Sequence, residues 1–196
     1  LLAKAVGLTP WQIRYLNAVE PGDVLPNGQI TDAGTALKET LLAVKDLCEA
    51  RPDAGVACAM KNAGIGVGLS DVGRVRMRVE NGQAVIYTSA ACLGQGLASV
   101  LLQFVGEATG LGWDQIRVAR LVGMDLAQDL KTHTLAELEG KEYYREFSGV
   151  TDPMGSSKPN PVSHVAYSYA TQVVLLNDEG RVEKVVAAHD IGRAVN

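Results

Sequence analysis

The stretch Lys61-Asn-Ala-Gly-Ile-Gly-Val-Gly-Leu-Ser-Asp-Val-Gly73 is followed by Arg74-Val-Arg-Met-Arg-Val79, Asn81-Gly82, Ala84-Val-Ile-Tyr-Thr-Ser89 and Cys92-Leu-Gly-Gln-Gly-Leu97. Three strand-like runs feed a glycine-rich turn that opens a strongly apolar helix reaching Gly110. In Gly64-Ile-Gly-Val-Gly-Leu69, a period of two puts the glycines on one strand face and Ile65, Val67 and Leu69 on the other. A face without side chains admits close approach of another backbone or a flat ligand. Arg74 to Val79 alternates strictly, with Val75, Met77 and Val79 inward and the arginines outward, as in a half-buried strand. Asn81-Gly82 is a two-residue hairpin signal, because both residues tolerate positive φ.

Further on, Leu97, Val100, Leu101, Phe104, Val105 and Ala108 make one helical stripe. Gly94-Gln95-Gly96 stands just ahead of it. The first N–H groups of a helix are unpaired and carry partial positive charge, so a glycine turn at this place is a ready site for an anion or phosphate. The same spacing also describes a tight strand-to-helix connection with no ligand. The residues alone leave both readings open.

Outward from this stretch, Thr9-Pro10-Trp11-Gln12 carries the parts of a capping box with proline in the first turn. The helix that follows holds Trp11, Tyr15 and Leu16, with Trp11 expected in the core. Leu37, Leu41, Val44 and Leu47 define a second amphipathic helix, stopped by Arg51-Pro52-Asp53-Ala54-Gly55. Val56–Met60 reads as a strand. On the other side, Gln115–Val122 reads as a strand, Leu126–Lys131 as a short helix, and Leu135–Phe147 as a charged helix capped by Thr134. Ser148–Pro161 is a loop, and Val165–Leu176 with Val182–Ala188 forms a hairpin about Asp178-Glu-Gly180. These elements predict an α+β fold: a two-layer sandwich of mixed or antiparallel sheet with packed helices.

With 196 residues and a formal charge of -4, the chain is long enough to bury a core as one domain or two small ones. Its mild acidity argues against a nucleic-acid partner, and no run approaches the apolar length of a membrane span. No secretory signal is visible, so a cytoplasmic protein with reduced thiols at Cys48, Cys58 and Cys92 is expected. The cysteines lack metal-ligand spacing. Cys92 precedes a helix end that can lower a thiol pKa, although a small buried hydrophobe is the ordinary role. His133, His164 and His189 form no His-x-x-x-His pair, while His164 and His189 are placed to face each other across the terminal hairpin. No nucleophile elbow or Gly-Lys-Ser phosphate loop is present.

Lys61 to Gly96, and above all Ser89-Ala-Ala-Cys-Leu-Gly-Gln-Gly-Leu97, resembles the molybdenum-cofactor subunit of the xanthine dehydrogenase and aldehyde oxidase family. Lys61-Asn-Ala-Gly-Ile-Gly-Val-Gly68 is most similar to its bacterial, selenium-associated branch. The similarity extends over Leu1–Asp23 and Tyr167–Asn196, where His189-Asp-Ile-Gly-Arg-Ala-Val-Asn196 resembles the family's Asp-x-Gly-x-x-x-Asn run. The resemblance implies that Leu93, Gly94, Gln95 and Gly96 bind molybdopterin, with Gln95 as a side-chain donor. It implies a partial molybdopterin-binding domain over 1–196: a helical lead-in at 1–55, a cofactor-side unit at 56–125, and a helix with terminal hairpin at 126–196. The family's activity is hydroxylation of a purine-like heterocycle or an aldehyde.

The same resemblance places the catalytic glutamate beyond Asn196 and the Phe-Arg-Gly substrate motif ahead of Leu1, and no acid here takes a catalytic role. A serine- and threonine-rich segment expected after Asp125 is missing from the pattern. The chain, which starts without Met, is therefore expected to be a fragment that is inactive alone. Its implied partners are the rest of the molybdenum subunit, iron–sulfur and FAD subunits or domains, and a small-molecule substrate. Exposed apolar surface makes a homo-oligomer a further expectation. Two other readings fit the residues: a module that holds a small anion or phosphate at Gly94–Gly96, and a purely structural α+β domain.

Overall fold

In the computed structural model the chain runs α1 (Leu2–Ala5), α2 (Pro10–Leu16), α3 (Leu37–Leu42), α4 (Lys45–Ala50), β1 (Gly55–Ala63), β2 (Asp71–Glu80), β3 (Gln83–Thr88), α5 (Leu97–Thr109), β4 (Ile116–Val118), β5 (Glu142–Gly149), β6 (Ala166–Leu176) and β7 (Val182–Asp190). The structure describes all residues except 89, 91–93, 119–128 and 192–196. Helices and sheets combine as the α+β class requires. They form two units, one from Leu1–Ser70 with the described part of Gly149–Gly192, the other from Asp71–Ser148.

The first unit is built on the antiparallel sheet β1-β6-β7, with β6 in the centre. Tyr169, Thr171, Val173 and Leu175 alternate along β6 and are buried. Tyr169, Val173 and Leu175 share a core with Trp11, Leu37, Leu41 and Val44 from the helices. Both halves of the capping box form: the Thr9 amide donates to Gln12 Oε1 at 2.9 Å, and the Gln12 amide to Thr9 Oγ1 at 3.1 Å. Trp11 is a core residue whose indole N–H donates to the Leu41 carbonyl at 2.9 Å. That bond falls where the sequence pattern departs from the structure. The single helix expected over Leu37–Leu47 is two: the chain turns at Val44 (φ -113), where the Leu41 carbonyl accepts both from the Val44 amide at 3.3 Å and from the indole. The apolar stripe survives the break, with Leu37, Leu41 and Val44 all buried.

The glycine-bearing strand face is the largest correction in this unit. β1 ends at Ala63. Gly64, Gly66 and Gly68 have φ of 75, 70 and 78, and Val67 lies at 49. The period of two thus marks left-handed backbone in a winding turn, not an extended face.

In the second unit the sheet order is β4-β3-β2-β5, with β2–β3 antiparallel and β3–β4 parallel. The Asn81-Gly82 turn forms with both φ positive, at 52 and 70. The Glu139 carboxylate accepts from both of its amides, at 2.9 and 3.0 Å. Met77 pairs with Ile86 and Val79 with Ala84, and all four are fully buried. Burying the Met77, Ile86 and Val79 side chains contributes roughly 1.5–3 kcal/mol each. The arginines of β2 point outward as expected; Arg74 Nε is 2.9 Å from Glu146 and Arg76 is 3.7 Å from Glu142.

α5 packs on this core through Leu101, Leu102 and Val105. Phe104 is 53% exposed, so the buried stripe is rotated from the expected one and leaves Phe104 and Ala108 outside. The charged helix expected over Leu135–Phe147 does not form. Leu135–Gly140 is a set of turns, in which Thr134 and Glu137 still cap each other, and Gly140 ends it at φ 79. Glu142–Gly149 is instead the edge strand beside β2, with Tyr143 buried. Aromatic residues favour a pleated, half-buried surface, and the free edge of β2 supplies backbone partners. Of the strand expected over Gln115–Val122, Ile116–Val118 is observed; 119–122 and the first half of the helix expected at Leu126–Lys131 (126–128) lie outside the described residues.

Candidate functional site

β3, α5 and β4 make a strand–helix–strand unit whose strands are parallel. The connection leaving the carboxyl end of β3 begins with the Ala90 amide donating to Thr88 Oγ1 at 3.1 Å. It ends in Gly94-Gln95-Gly96, where Gly94 has φ 111 and Gly96 is the left-handed N-cap of α5 at φ 72. Glycine adopts these angles without a Cβ clash. Gly94 and Gln95 are exposed, and a Cβ built on Gly94 would meet nothing within 4 Å. Having no side chain, Gly96 leaves the first-turn amides of α5 without a side-chain cap, and that turn holds no acidic residue. Its positive end thus has no counter-charge within that turn, a setting that suits an anion. Leu93, read from the sequence as a further cofactor contact, lies outside the described residues, as does Cys92.

The earlier glycine turn differs in kind. A Cβ on Gly66 would lie 2.1 Å from His164 Nδ1 and 2.4 Å from the Ser163 carbonyl oxygen; one on Gly68 would lie 2.9 Å from Pro153 Cα. The Val67 amide donates to the Ser163 carbonyl at 2.7 Å, and the Gly68 amide to Thr151 Oγ1 at 3.0 Å. The close approach expected from the glycines is real, but the protein's own 151–164 segment makes it. His164 is held there. Lys61 Nζ donates to Asn62 Oδ1 at 3.0 Å, which leaves the Asn62 amide nitrogen as donor to the Gly64 carbonyl and to His164 Nδ1, both at 3.1 Å. The Ser163 hydroxyl in this cluster is fully buried and finds no partner among the described residues.

His164 and His189 do not face each other: His189 pairs with Ala170 in the β6–β7 ladder, whereas His164 precedes β6 and packs edge-on to Tyr167. His133 Nδ1 lies 2.9 Å from Thr132 Oγ1. Cys48 and Cys58 are half-buried beside the first core, and burial pushes the Cys48 thiol pKa up, away from nucleophilic use. Among the described residues, no group of three or more His, Cys, Asp or Glu could hold a metal ion, and no helix is long and apolar enough to cross a membrane. One feature gives no signal in the sequence: a cleft in the first unit lined by Asp32, Thr35, Tyr169 and Asp190. Its residues come from segments far apart in the chain, so no local motif announces it.

Comparison with solved structures places the fold. The aldehyde oxidoreductase from Desulfovibrio desulfuricans is similar with a TM-score of 0.73 and 20% sequence identity, over 100% of this chain and 27% of that one. The Cu,Mo-CO dehydrogenase, in its carbon monoxide reduced state, is similar with a TM-score of 0.53 and 13% identity, over 96% of this chain and 35% of that one. The chain thus spans 27% and 35% of the length of these two proteins. No family model matches it, and no curated protein matches it. The likeness is one of fold: a mixed sheet-and-helix architecture shared with parts of these aldehyde oxidoreductase and CO dehydrogenase chains.

Proposed function

We propose that this chain is part of a molybdopterin-binding subunit of an oxidoreductase that hydroxylates an aldehyde or a purine-like heterocycle. The observation that carries the reading is the open glycine elbow at the carboxyl end of β3, on a fold shared with an aldehyde oxidoreductase. Ligands of strand–helix–strand units gather at the carboxyl ends of the strands, where the helix start presents its amides. The elbow fits an anionic portion of such a cofactor, because Gly94 leaves room and the first turn of α5 brings uncapped amides without a competing carboxylate.

In this reading Gly94 and Gly96 admit the cofactor against bare backbone, the amides of Leu97 and Ala98 orient its charge, and Gln95 and Leu93 flank it. The chemistry that a molybdopterin cofactor supplies when bound is the two-electron oxidation of the substrate carbon. This chain contributes binding and orientation. We assign it no catalytic residue. The rest of the molybdenum subunit and the iron–sulfur and flavin domains are the partners the reading requires.

The test is a titration of the isotope-labelled chain with purified molybdopterin and, separately, with pyrophosphate, following the backbone amides of residues 94–97. Shifts with the pterin at concentrations where pyrophosphate has no effect support the reading. An equal response to both would favour a general phosphate-binding module instead. Turnover of an aldehyde or purine by the isolated chain would overturn its role as a part that needs the remaining domains.

A further inference from the structure

The turn Thr31–Thr35 and the paired ends of β6 and β7 enclose a cleft of 490 Å3 within the first unit. Asp190 stands directly opposite Tyr169 in the β6–β7 ladder, so their side chains share one face of the sheet. Thr35 Oγ1 and Tyr169 OH lie 3.2 Å apart, and these residues are only 4% and 3% exposed. Two hydroxyls bring two protons, and the bond between them uses one. The second proton has no acceptor among the described residues, although both residues line the cleft. Burial pushes the Tyr169 phenol pKa up, and the nearby Asp32, Tyr167 and Asp190 push it further, so the hydroxyl stays a donor at neutral pH.

The walls are acidic. The Asp32 side chain accepts a hydrogen bond from the Gly34 amide at 2.9 Å, and Asp190 also lines the cleft. Among the described residues that line it there is no lysine, arginine or histidine, while the rings of Tyr167 and Tyr169 are present. Two carboxylates beside aromatic rings attract a cation, and the volume falls in the range of small-molecule sites, roughly 300–1,000 Å3. We propose that this cleft binds a small organic cation, a protonated amine or guanidinium, that also carries a hydrogen-bond acceptor for the Thr35–Tyr169 hydroxyl pair. The site is separate from the glycine elbow in the residues that form it, and the proposal does not rest on the molybdopterin reading. A free amine and an arginine side chain presented by another protein share this chemistry.

The whole chain, labelled at its tyrosine rings and backbone amides, is titrated with ethanolammonium chloride and with N-acetyl-arginine methylamide. Sodium butyrate at matched ionic strength serves as the opposite-charge control. Saturable shifts at Thr35, Tyr169 and Asp190 are expected with the cations and not with butyrate. The double variant D32N/D190N weakens binding at least tenfold, and Y169F weakens it about threefold. D32N alone, at an exposed position, keeps the test decisive if the double variant does not fold. Tighter binding of the arginine derivative assigns the site to a protein side chain, and tighter binding of ethanolammonium assigns it to a free amine. Non-saturating shifts, an equal response to butyrate, or undiminished binding in D32N would overturn the proposal.

Discussion

Gly64–Gly68 and Gly94–Gly96 look alike as sequence and are opposites as structure. Both are glycines at alternate positions with positive φ. In the first, the approaches opened at Gly66 and Gly68 are taken by the chain itself, through Ser163, His164 and Pro153. A Cβ on Gly94 would meet nothing within 4 Å among the described residues. A glycine run therefore says that something comes close, and only the partner's identity separates an internal clamp from a binding site.

Substitutions at the two turns sharpen this contrast. The largest effect is expected for Gly66→Ala, which adds a methyl group 2.1 Å from a ring nitrogen at a φ of 70. Left-handed strain of roughly 1–2 kcal/mol and overpacking of roughly 1–3 kcal/mol give a loss of about 3 kcal/mol in thermal or denaturant unfolding. Gly94→Ala carries the backbone strain alone, roughly 1–2 kcal/mol, while impairing pterin-dependent shifts at residues 94–97. Equal losses at both positions would dissolve the contrast. Ser163→Ala tests the clamp from the other side: deleting a buried hydroxyl that lacks a partner is expected to raise stability by about 1 kcal/mol.

The smallest effect lies in pH. The Lys158 ammonium and the Val162 amide hold the Asp152 carboxyl below its usual pKa, beside the Pro153 that closes over Gly68. A depressed folded-state pKa favours the ionised form in the fold. Its stabilisation is therefore present above the unfolded value, about 4, and disappears as pH falls through the lower folded value. Asp152→Asn should lower the melting temperature at pH 6 and make no difference once both forms are neutral. A variant-to-wild-type gap that persists at low pH would remove the carboxylate from the clamp.

What the sequence made legible follows from how local each signal is. The β2–β3 hairpin needed only Asn81-Gly82 and the alternation around Met77, both contained within one turn. The helix start at Thr9 was readable because its capping partner sits three residues away. Tyr143 and Phe147 were misassigned because their strand depends on the edge of β2, some seventy positions upstream in the case of Arg74 and Glu146 (72 residues apart). The break at Val44 is hidden because one of the two donors that meet the Leu41 carbonyl there is the indole of Trp11, 30 residues earlier. The glycine elbow ahead of α5 was visible as a connection, while its openness was not, since emptiness is a property of the folded surroundings. The acidic cleft was invisible for the same reason: Thr35 and Tyr169 meet across 134 residues.

The β1–β6 ladder joins Gly55 to Val174, and Asp71–Ser148 lies between them in the chain. During synthesis the hairpin-centred unit can emerge and close on itself while β1 still waits for its central neighbour. Long-range pairing of this kind is slow because a large loop must close before any contact rewards it. Maturation should thus be paced by the arrival of β6, with β1 as the strand most exposed to wrong partners in the interval.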